Sequence, residues 1–165
     1  MGDIITTAPY IEGLEIHALQ QMRDERGSVM HVLREDTAWR AHIGEVYVST
    51  ICSGVVKGWK RHHKMTQQLV VPMGKIKLVI FDSRPDSETK NIFQEIIVGH
   101  EHYALIKIPP KVWYGFQGLA IGTSLIINCA SMIYDESEVE RMPIENFLPH
   151  YHWDLMAFSD DTHHE

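Results

Sequence analysis

Hydrophobic and polar residues alternate at every second position in short runs along most of this chain. A period of two is typical of β-strands, because successive side chains of a strand point to opposite faces of the sheet. The runs are also rich in β-branched and aromatic residues, which strands favour. The pattern predicts strands at Glu15–Gln20, Ser28–Arg34, Glu45–Ile51, Val55–Lys60, Gln67–Val71, Lys75–Asp82, Ile92–Val98, Ala104–Ile108 and Thr123–Ala130.

Turn-forming glycine, proline, aspartate and serine residues separate these runs, and helix signals are scarce. Two short helical turns are expected, around Glu136–Arg141 and Ile144–Phe147. No repeat or linker divides the chain, so residues 1–165 are expected to form one all-β domain, a β-sandwich or a jelly-roll barrel. Such a barrel encloses a cavity for a small ligand. The polar end, 156–165, is expected to be a flexible tail.

The composition is that of an ordinary globular protein, with 165 residues of which 44% are apolar and 22% charged. No apolar run approaches the roughly 18 residues of a membrane span, and the N-terminus carries no secretory signal. We therefore expect a cytoplasmic protein with no membrane partner. The net charge of −7 disfavours a nucleic-acid partner, because an acidic surface repels phosphates.

Basic residues are nevertheless concentrated in one segment, at Lys57, Lys60, Arg61 and Lys64. A basic segment in an acidic protein is typical of a site for a small anionic ligand. It is equally typical of a strand edge that lysine residues protect against aggregation. Charge alone does not decide between these two interpretations.

Lys60 and His62 are the first candidates for chemistry. Alternation along a strand places both of them on one face, and it places Lys57, Trp59 and Arg61 on the other. If the first face is internal, burial and mutual repulsion lower both pKa values and leave a neutral amine or imidazole near pH 7. A general base has that property. The alternative is that both side chains lie on a solvated edge.

The segment Gly58–Gly74 resembles the first conserved motif of the cupins, and the segment from Pro109 to Tyr114 resembles the second. In metal-binding cupins these motifs supply three histidines and a glutamate. The corresponding positions here are Lys60, His62, Gln67 and Tyr114. Lysine and glutamine are poor ligands for first-row metals. The resemblance therefore implies a cupin-type jelly roll that acts without a metal.

A closer resemblance, from Ile11 to Trp153, is to the dTDP-4-dehydrorhamnose 3,5-epimerase family and to a divergent branch of it. The matching segments are Asp24–Gly27, Val55–Trp59, Leu69–Gly74, Asp82–Arg84 with Ser87–Thr89, Ile108–Pro110 with Gly115–Phe116, and Asn128–Ala130. The resemblance implies an epimerase or isomerase of a nucleotide-linked 4-keto-6-deoxy sugar, active in surface polysaccharide or lipopolysaccharide synthesis and needing no cofactor. It also implies a homodimer in which the N-terminal segment, Ile4–Gln20, lies at the interface.

The functional residues of that family are only partly present. Lys60 stands at the position of its catalytic histidine, Ile127 at that of its catalytic tyrosine, and Tyr114 at that of another histidine. Three outcomes stay open. The chain uses Lys60 or His62 as base with Tyr114 as acid, or it is a sugar 3,4-ketoisomerase, or it binds a sugar nucleotide without turnover.

Further residues are predicted to contact the substrate. By resemblance, Arg26 and Lys57 meet the nucleotide diphosphate. Glu45 and Tyr47 alternate on a strand that contributes substrate contacts in the family, although an outward polar face is an equal alternative. Trp113 is a candidate for stacking on a base or a sugar, although such a residue more often packs in a core. Gln67 completes the set of predicted substrate-binding residues.

Overall fold

The computed structural model describes residues 4–153, and these form an all-β, antiparallel structure. The strands are β1 (Ile5–Thr6), β2 (Glu15–Ala18), β3 (Gln21–Asp24), β4 (Gly27–Met30), β5 (Glu45–Cys52), β6 (Val56–His62), β7 (Gln67–Met73), β8 (Lys75–Phe81), β9 (Phe93–Gly99), β10 (Ala104–Ile108), β11 (Trp113–Gly118), β12 (Thr123–Ala130) and β13 (Val139–Arg141). Two single-turn 3-10 helices lie at Glu136–Glu138 and Ile144–Asn146. The predicted fold class is confirmed. The tail predicted at 156–165 lies outside the described residues.

Two sheets face each other. The chain crosses repeatedly between them, so strands that are consecutive in the sequence often belong to different sheets. The six-stranded sheet has the order β1-β9-β8-β11-β6-β13, and the five-stranded sheet has the order β2-β10-β7-β12-β5. Strands β3 and β4 form a separate hairpin. The sheets enclose an apolar core in which Leu78, Ile80, Ile96 and Ile106 are fully buried. This core fills the region around β8, β9 and β10 and leaves β5 and β6 to line the site.

Four strands, β1, β3, β11 and β13, were not among the predicted ones. Strand β11 was not predicted, because all six of its residues are buried and its sequence, WYGFQG, shows no alternation of apolar and polar residues. A short helical turn was expected around Glu136–Arg141. Instead the 3-10 turn ends at Glu138, and Val139–Arg141 pairs with β6 as an edge strand.

The N-terminal segment pairs within its own chain. Ile5 of β1 lies opposite Ile97 of β9, and His17 of β2 lies opposite Leu105 of β10. A role of Ile4–Gln20 at a dimer interface stays a prediction. No helix within residues 4–153 has the length and apolar character needed to cross a membrane.

The outer face of the six-stranded sheet is covered by an aromatic cluster that the C-terminal segment completes. Phe147 stacks on Trp59 of β6 at 4.2 Å between ring centroids, and Trp153 packs against the same indole at 5.4 Å. The partly buried Met142 and Ile144 join this cluster. Burial of these rings holds the C-terminal segment against the back of β6, whose other face lines the site.

We expect the Phe147→Ala substitution to lower the free energy of unfolding by about 3–5 kcal/mol, because it leaves a cavity beside Trp59. The neighbouring Leu148 is the matched control, since its side chain is 71% exposed. Leu148→Ala is expected to change stability by less than about 0.5 kcal/mol. Urea denaturation followed by tryptophan fluorescence measures both values. Equal effects of the two substitutions would contradict this account of the cluster.

Candidate active site

A two-lobed cavity opens between the sheets where β5, β6 and β12 meet. The larger lobe has a volume of about 490 Å³ and the smaller about 370 Å³. Tyr47, Lys60 and Arg141 line both lobes, so the two form one continuous site. This volume falls in the usual range for a small-molecule ligand.

Strand β6 presents Lys60 and His62 to this cavity, on the shared face that the alternation predicted. Trp59 and Arg61 point the other way, and the Arg61 guanidinium lies 4.6 Å from the ring centroid of Trp113 in the outer cluster. Lys57 breaks the alternation, because it lines the larger lobe although it was expected on the outer face.

A register shift explains the position of Lys57. Lys60 pairs with Tyr114 of β11, and Lys57 pairs with Phe116. The pairing therefore advances three residues along β6 but only two along β11. One extra residue of this kind is a β-bulge, and it inverts the facing of every side chain before it. Lys57, Lys60 and His62 therefore share the cavity side. The Lys57 amine donates a hydrogen bond to the carbonyl oxygen of Thr50.

His62 is held by a buried carboxylate. Its Nδ1 lies 2.7 Å from Oε2 of Glu138, and the two side chains are 5% and 6% exposed. The other carboxylate oxygen of Glu138 accepts the backbone N–H groups of Lys64 and Met65. Sequence reasoning missed Glu138, because it lies 76 residues from His62 in an acidic segment that reads as a solvated turn.

The electrostatics of the pair favour a neutral imidazole beside a charged carboxylate. Burial lowers the pKa of His62, although the Glu138 carboxylate partly opposes that effect. Burial raises the pKa of Glu138, but the backbone N–H donors and His62 outweigh it, so the net pKa is lowered. A carboxylate that accepts the Nδ1 proton leaves Nε2 as the basic nitrogen.

Lys60 and Tyr114, together with His62, form the wall of the cavity that belongs to the six-stranded sheet. The Lys60 amine lies 5.5 Å from the ring centroid of Tyr114, and the His62 ring lies 6.3 Å from it in a nearly parallel orientation. Burial, followed by the positive charges of Arg141 and Lys57, lowers the pKa of Lys60. Burial raises the pKa of Tyr114 well above its usual value. Within residues 4–153, neither His62 Nε2 nor the Tyr114 hydroxyl has a hydrogen-bond partner, which is typical of groups awaiting a ligand.

The facing wall belongs to the five-stranded sheet. Tyr47 of β5 lies directly opposite Asn128 of β12, whose amide donates a 2.7 Å hydrogen bond to the Tyr47 hydroxyl oxygen. Asn128 also donates to Oε1 of Gln67, which is 1% exposed and lines neither lobe. Gln67 thus orients Asn128 rather than reaching the cavity. Glu45 lines the smaller lobe.

Besides Gln67, two further predicted substrate contacts lie away from the cavity. Arg26 is in the β3–β4 turn, with its side chain 84% exposed and paired with Asp24. Trp113 is buried in the outer cluster, because it precedes Tyr114 on β11 and so faces the opposite side of the sheet. Conversely, Arg141 lines both lobes and was not predicted, because β13 was read as a helical turn.

No group of three or more histidine, cysteine, aspartate or glutamate side chains that could hold a metal occurs within residues 4–153.

Comparison with known proteins agrees with these features. A probable low-salt glycan biosynthesis epimerase of Haloferax volcanii is 31% identical over 149 residues, which cover 88% of this chain and 96% of that protein. A spore coat polysaccharide biosynthesis protein of Bacillus subtilis is 28% identical, covering 87% of this chain and 96% of its own length.

A solved structure gives the same result. The crystal structure of a dTDP sugar isomerase from Desulfovibrio desulfuricans is 37% identical and superposes with a TM-score of 0.79, covering 82% of this chain and 88% of that one. The family described as dTDP-4-dehydrorhamnose 3,5-epimerase matches residues 9–163. The chain therefore belongs to the dTDP-4-dehydrorhamnose 3,5-epimerase family of sugar epimerases, as its ordered short segments predicted.

Proposed function

We propose that this protein epimerises a nucleotide-linked 4-keto-6-deoxy sugar at the carbons next to the ketone. The observation that carries the proposal is the buried His62–Glu138 pair, whose imidazole lines the smaller lobe of the cavity. The family match and the dTDP sugar isomerase support the substrate class. The glycan and polysaccharide relatives support a role in polysaccharide biosynthesis. A role in lipopolysaccharide synthesis stays a prediction.

The chemistry needs a base on one side of the sugar ring and an acid on the other. A ketone at C4 acidifies the protons on C3 and C5, so a base removes one of them and an enolate forms. An acid then returns a proton from the opposite face and inverts the carbon. General acids and bases of this kind each contribute about 10²–10⁴-fold to the rate.

His62 suits the role of base. Glu138 fixes the ring through Nδ1 and stabilises the imidazolium that forms after proton abstraction. The lowered pKa of His62 keeps Nε2 unprotonated at neutral pH. This choice develops the sequence hypothesis, which left Lys60 and His62 as equal candidates.

Tyr47 suits the role of acid better than Tyr114 does. Tyr114 and His62 lie on neighbouring strands of the six-stranded sheet and occupy the same wall. Tyr47 lies on the five-stranded sheet, which faces that wall across the cavity. Because Asn128 donates to the Tyr47 oxygen, the hydroxyl proton is free to point toward a ligand. The original assignment of the acid to Tyr114 stays a prediction that the variants below test.

Binding of the nucleotide diphosphate is assigned to the cations of the larger lobe, Lys57 and Arg141. The Arg141 guanidinium already contacts Glu136 and Tyr134, so phosphate binding would replace or supplement these contacts. Contact between Arg26 and the nucleotide, and assembly as a homodimer, stay predictions that follow from the resemblance.

His62→Asn is expected to lower deuterium incorporation at C3 and C5 by about 10²–10⁴-fold, because the base is lost. The assay incubates dTDP-4-keto-6-deoxy-D-glucose in deuterated water and follows the ring protons by NMR. His63→Asn is the matched control, since His63 is half-exposed and pairs with Glu140.

The products of the unmodified protein distinguish the remaining alternatives. A 3-keto sugar would identify a 3,4-ketoisomerase instead. Saturable binding of the nucleotide sugar without any exchange at C3 or C5 would identify a binding protein and contradict the epimerase assignment.

The pH profile of kcat reports His62 in the enzyme–substrate complex. Because the base must be unprotonated and burial lowers its pKa below the usual 6.5, the acidic limb is expected below pH 6.5. Glu138→Gln removes the charge that raises this pKa, so the limb moves to still lower pH while the plateau falls on the order of 100-fold. Glu140→Gln, two residues further on, is the control. An unchanged acidic limb in Glu138→Gln would contradict the assigned pair.

Tyr47→Phe is expected to separate exchange from inversion. With His62 intact, deuterium still enters the substrate by return to the original face, whereas formation of the epimer falls by about 10²–10⁴-fold. Tyr114→Phe is the comparison, and it is expected to retain inversion. Loss of inversion in Tyr114→Phe alone would assign the acid to Tyr114. The ratio of exchange to epimer is measured by NMR and mass spectrometry.

A further inference from the structure

The amine of Lys60 is the central unexplained group of the cavity. It lies where the two lobes join, and no hydrogen bond or ion pair of its Nζ occurs within residues 4–153. A lysine that only stabilised the fold would be expected to pair with a carboxylate or a carbonyl oxygen. Lys60 therefore needs an explanation in terms of the ligand.

The neighbouring charges are engaged elsewhere. Lys57 donates to the Thr50 carbonyl oxygen, and Arg141 pairs with Glu136. The Glu138 carboxylate is occupied by His62 and two backbone N–H groups. Glu45 lines the smaller lobe together with Lys60 but forms no ion pair with it. The amine thus lies among cations, beside the aromatic face of Tyr114.

An amine in this setting is a nucleophile as much as a charge. Desolvation and neighbouring cations are the two conditions that free the lone pair of a lysine and allow it to form Schiff bases with carbonyl substrates. Both conditions act on Lys60, whose pKa is lowered by burial and then by Arg141 and Lys57. The substrate proposed above carries one reactive carbonyl, the C4 ketone.

We infer that Lys60 Nζ condenses with the C4 ketone of the sugar and that proton abstraction takes place on the resulting iminium ion. This inference rests on the proposed function and deepens it. The neutral amine adds to C4 to give a carbinolamine, which takes up one proton from solvent and loses the C4 oxygen as water, leaving the iminium ion. His62 removes the C3 or C5 proton to give a neutral enamine, and reprotonation restores the iminium. Water then adds back and releases the ketone, the free amine and the proton taken up earlier, so no other reactant is consumed.

The spacing of Lys60 and His62 along β6 allows one residue to bind C4 and the other to act as the base. Lys60 and His62 are two residues apart on one face, which in a strand separates their Cα atoms by about 6.6 Å. An amine bound to C4 therefore leaves the imidazole free to reach the hydrogen of an adjacent ring carbon. The positive iminium nitrogen also withdraws electrons more strongly than a ketone oxygen does, and because a neutral enamine forms instead of an enolate, no separate cation is needed.

Reductive trapping tests the covalent step. The protein is incubated near pH 7 with dTDP-4-keto-6-deoxy-D-glucose and sodium cyanoborohydride, which reduces iminium ions to stable secondary amines. We expect intact-mass spectrometry to show addition of one substrate, less one oxygen atom. Peptide mapping is expected to place the adduct on Lys60 and to show that trypsin no longer cleaves after this residue.

Two variants and a matched control complete the test. Lys60→Met and Lys60→Arg are expected to abolish the adduct, and circular dichroism checks that both are folded. Lys64→Met is expected to retain it, because Lys64 is an exposed lysine of the same segment that lines neither lobe. Deuterium exchange at C3 and C5 is measured on every sample.

The outcomes separate this inference from the proposed function. Deuterium exchange without an adduct on Lys60 would overturn the covalent step and leave the epimerase assignment standing. An adduct on Lys60 without exchange would support the covalent step and refute epimerisation. Absence of both would refute the substrate class and the inference together. Full exchange activity in Lys60→Arg would also overturn the covalent step, because a guanidinium does not form the iminium.

Discussion

The hydrogen bond between His62 and Glu138 is the interaction on which the site depends. It joins β6, which forms the cavity wall, to the segment that enters β13, 76 residues later in the chain. A buried carboxylate is costly unless it is fully paired. The backbone N–H groups of Lys64 and Met65 supply the remaining donors, so the charge of Glu138 is balanced only when β6, the following turn and β13 are all in place.

Charge is distributed unevenly between the surface and the cavity. The chain as a whole carries a net charge of −7, whereas Lys57, Lys60 and Arg141 give the cavity a positive lining. A positive cavity within a negative surface attracts a compact anion and excludes a polyanion that cannot enter it. The same cations, together with burial, make Lys60 easier to deprotonate. One arrangement of charge thus serves both selection of the ligand and preparation of the reacting group.

Much of the fold and part of the site could be predicted from the sequence. The period of two identified most of the strands and placed Lys60 and His62 on one shared face, because that signal is local, but it did not decide whether that face was the inner one. Three features could not be found in this way. Glu138 reaches His62 only through tertiary contact, β11 is buried on both faces and lacks alternation, and the bulge before Lys60 depends on pairing between strands. Trp113 was assigned beside Tyr114, although neighbours on a strand face opposite ways.

The bulge in β6 has a consequence for variation within this site. Because three residues of β6 span two of β11, the bulge decides whether the lysine nearer the N-terminus reaches the ligand or the solvent. Loss of a single residue there would restore regular pairing and leave Lys57 two positions before Lys60, still on the cavity side. Regular pairing with every residue retained would instead turn Lys57 outward, and so would change which ligand is held while preserving Lys60 and His62.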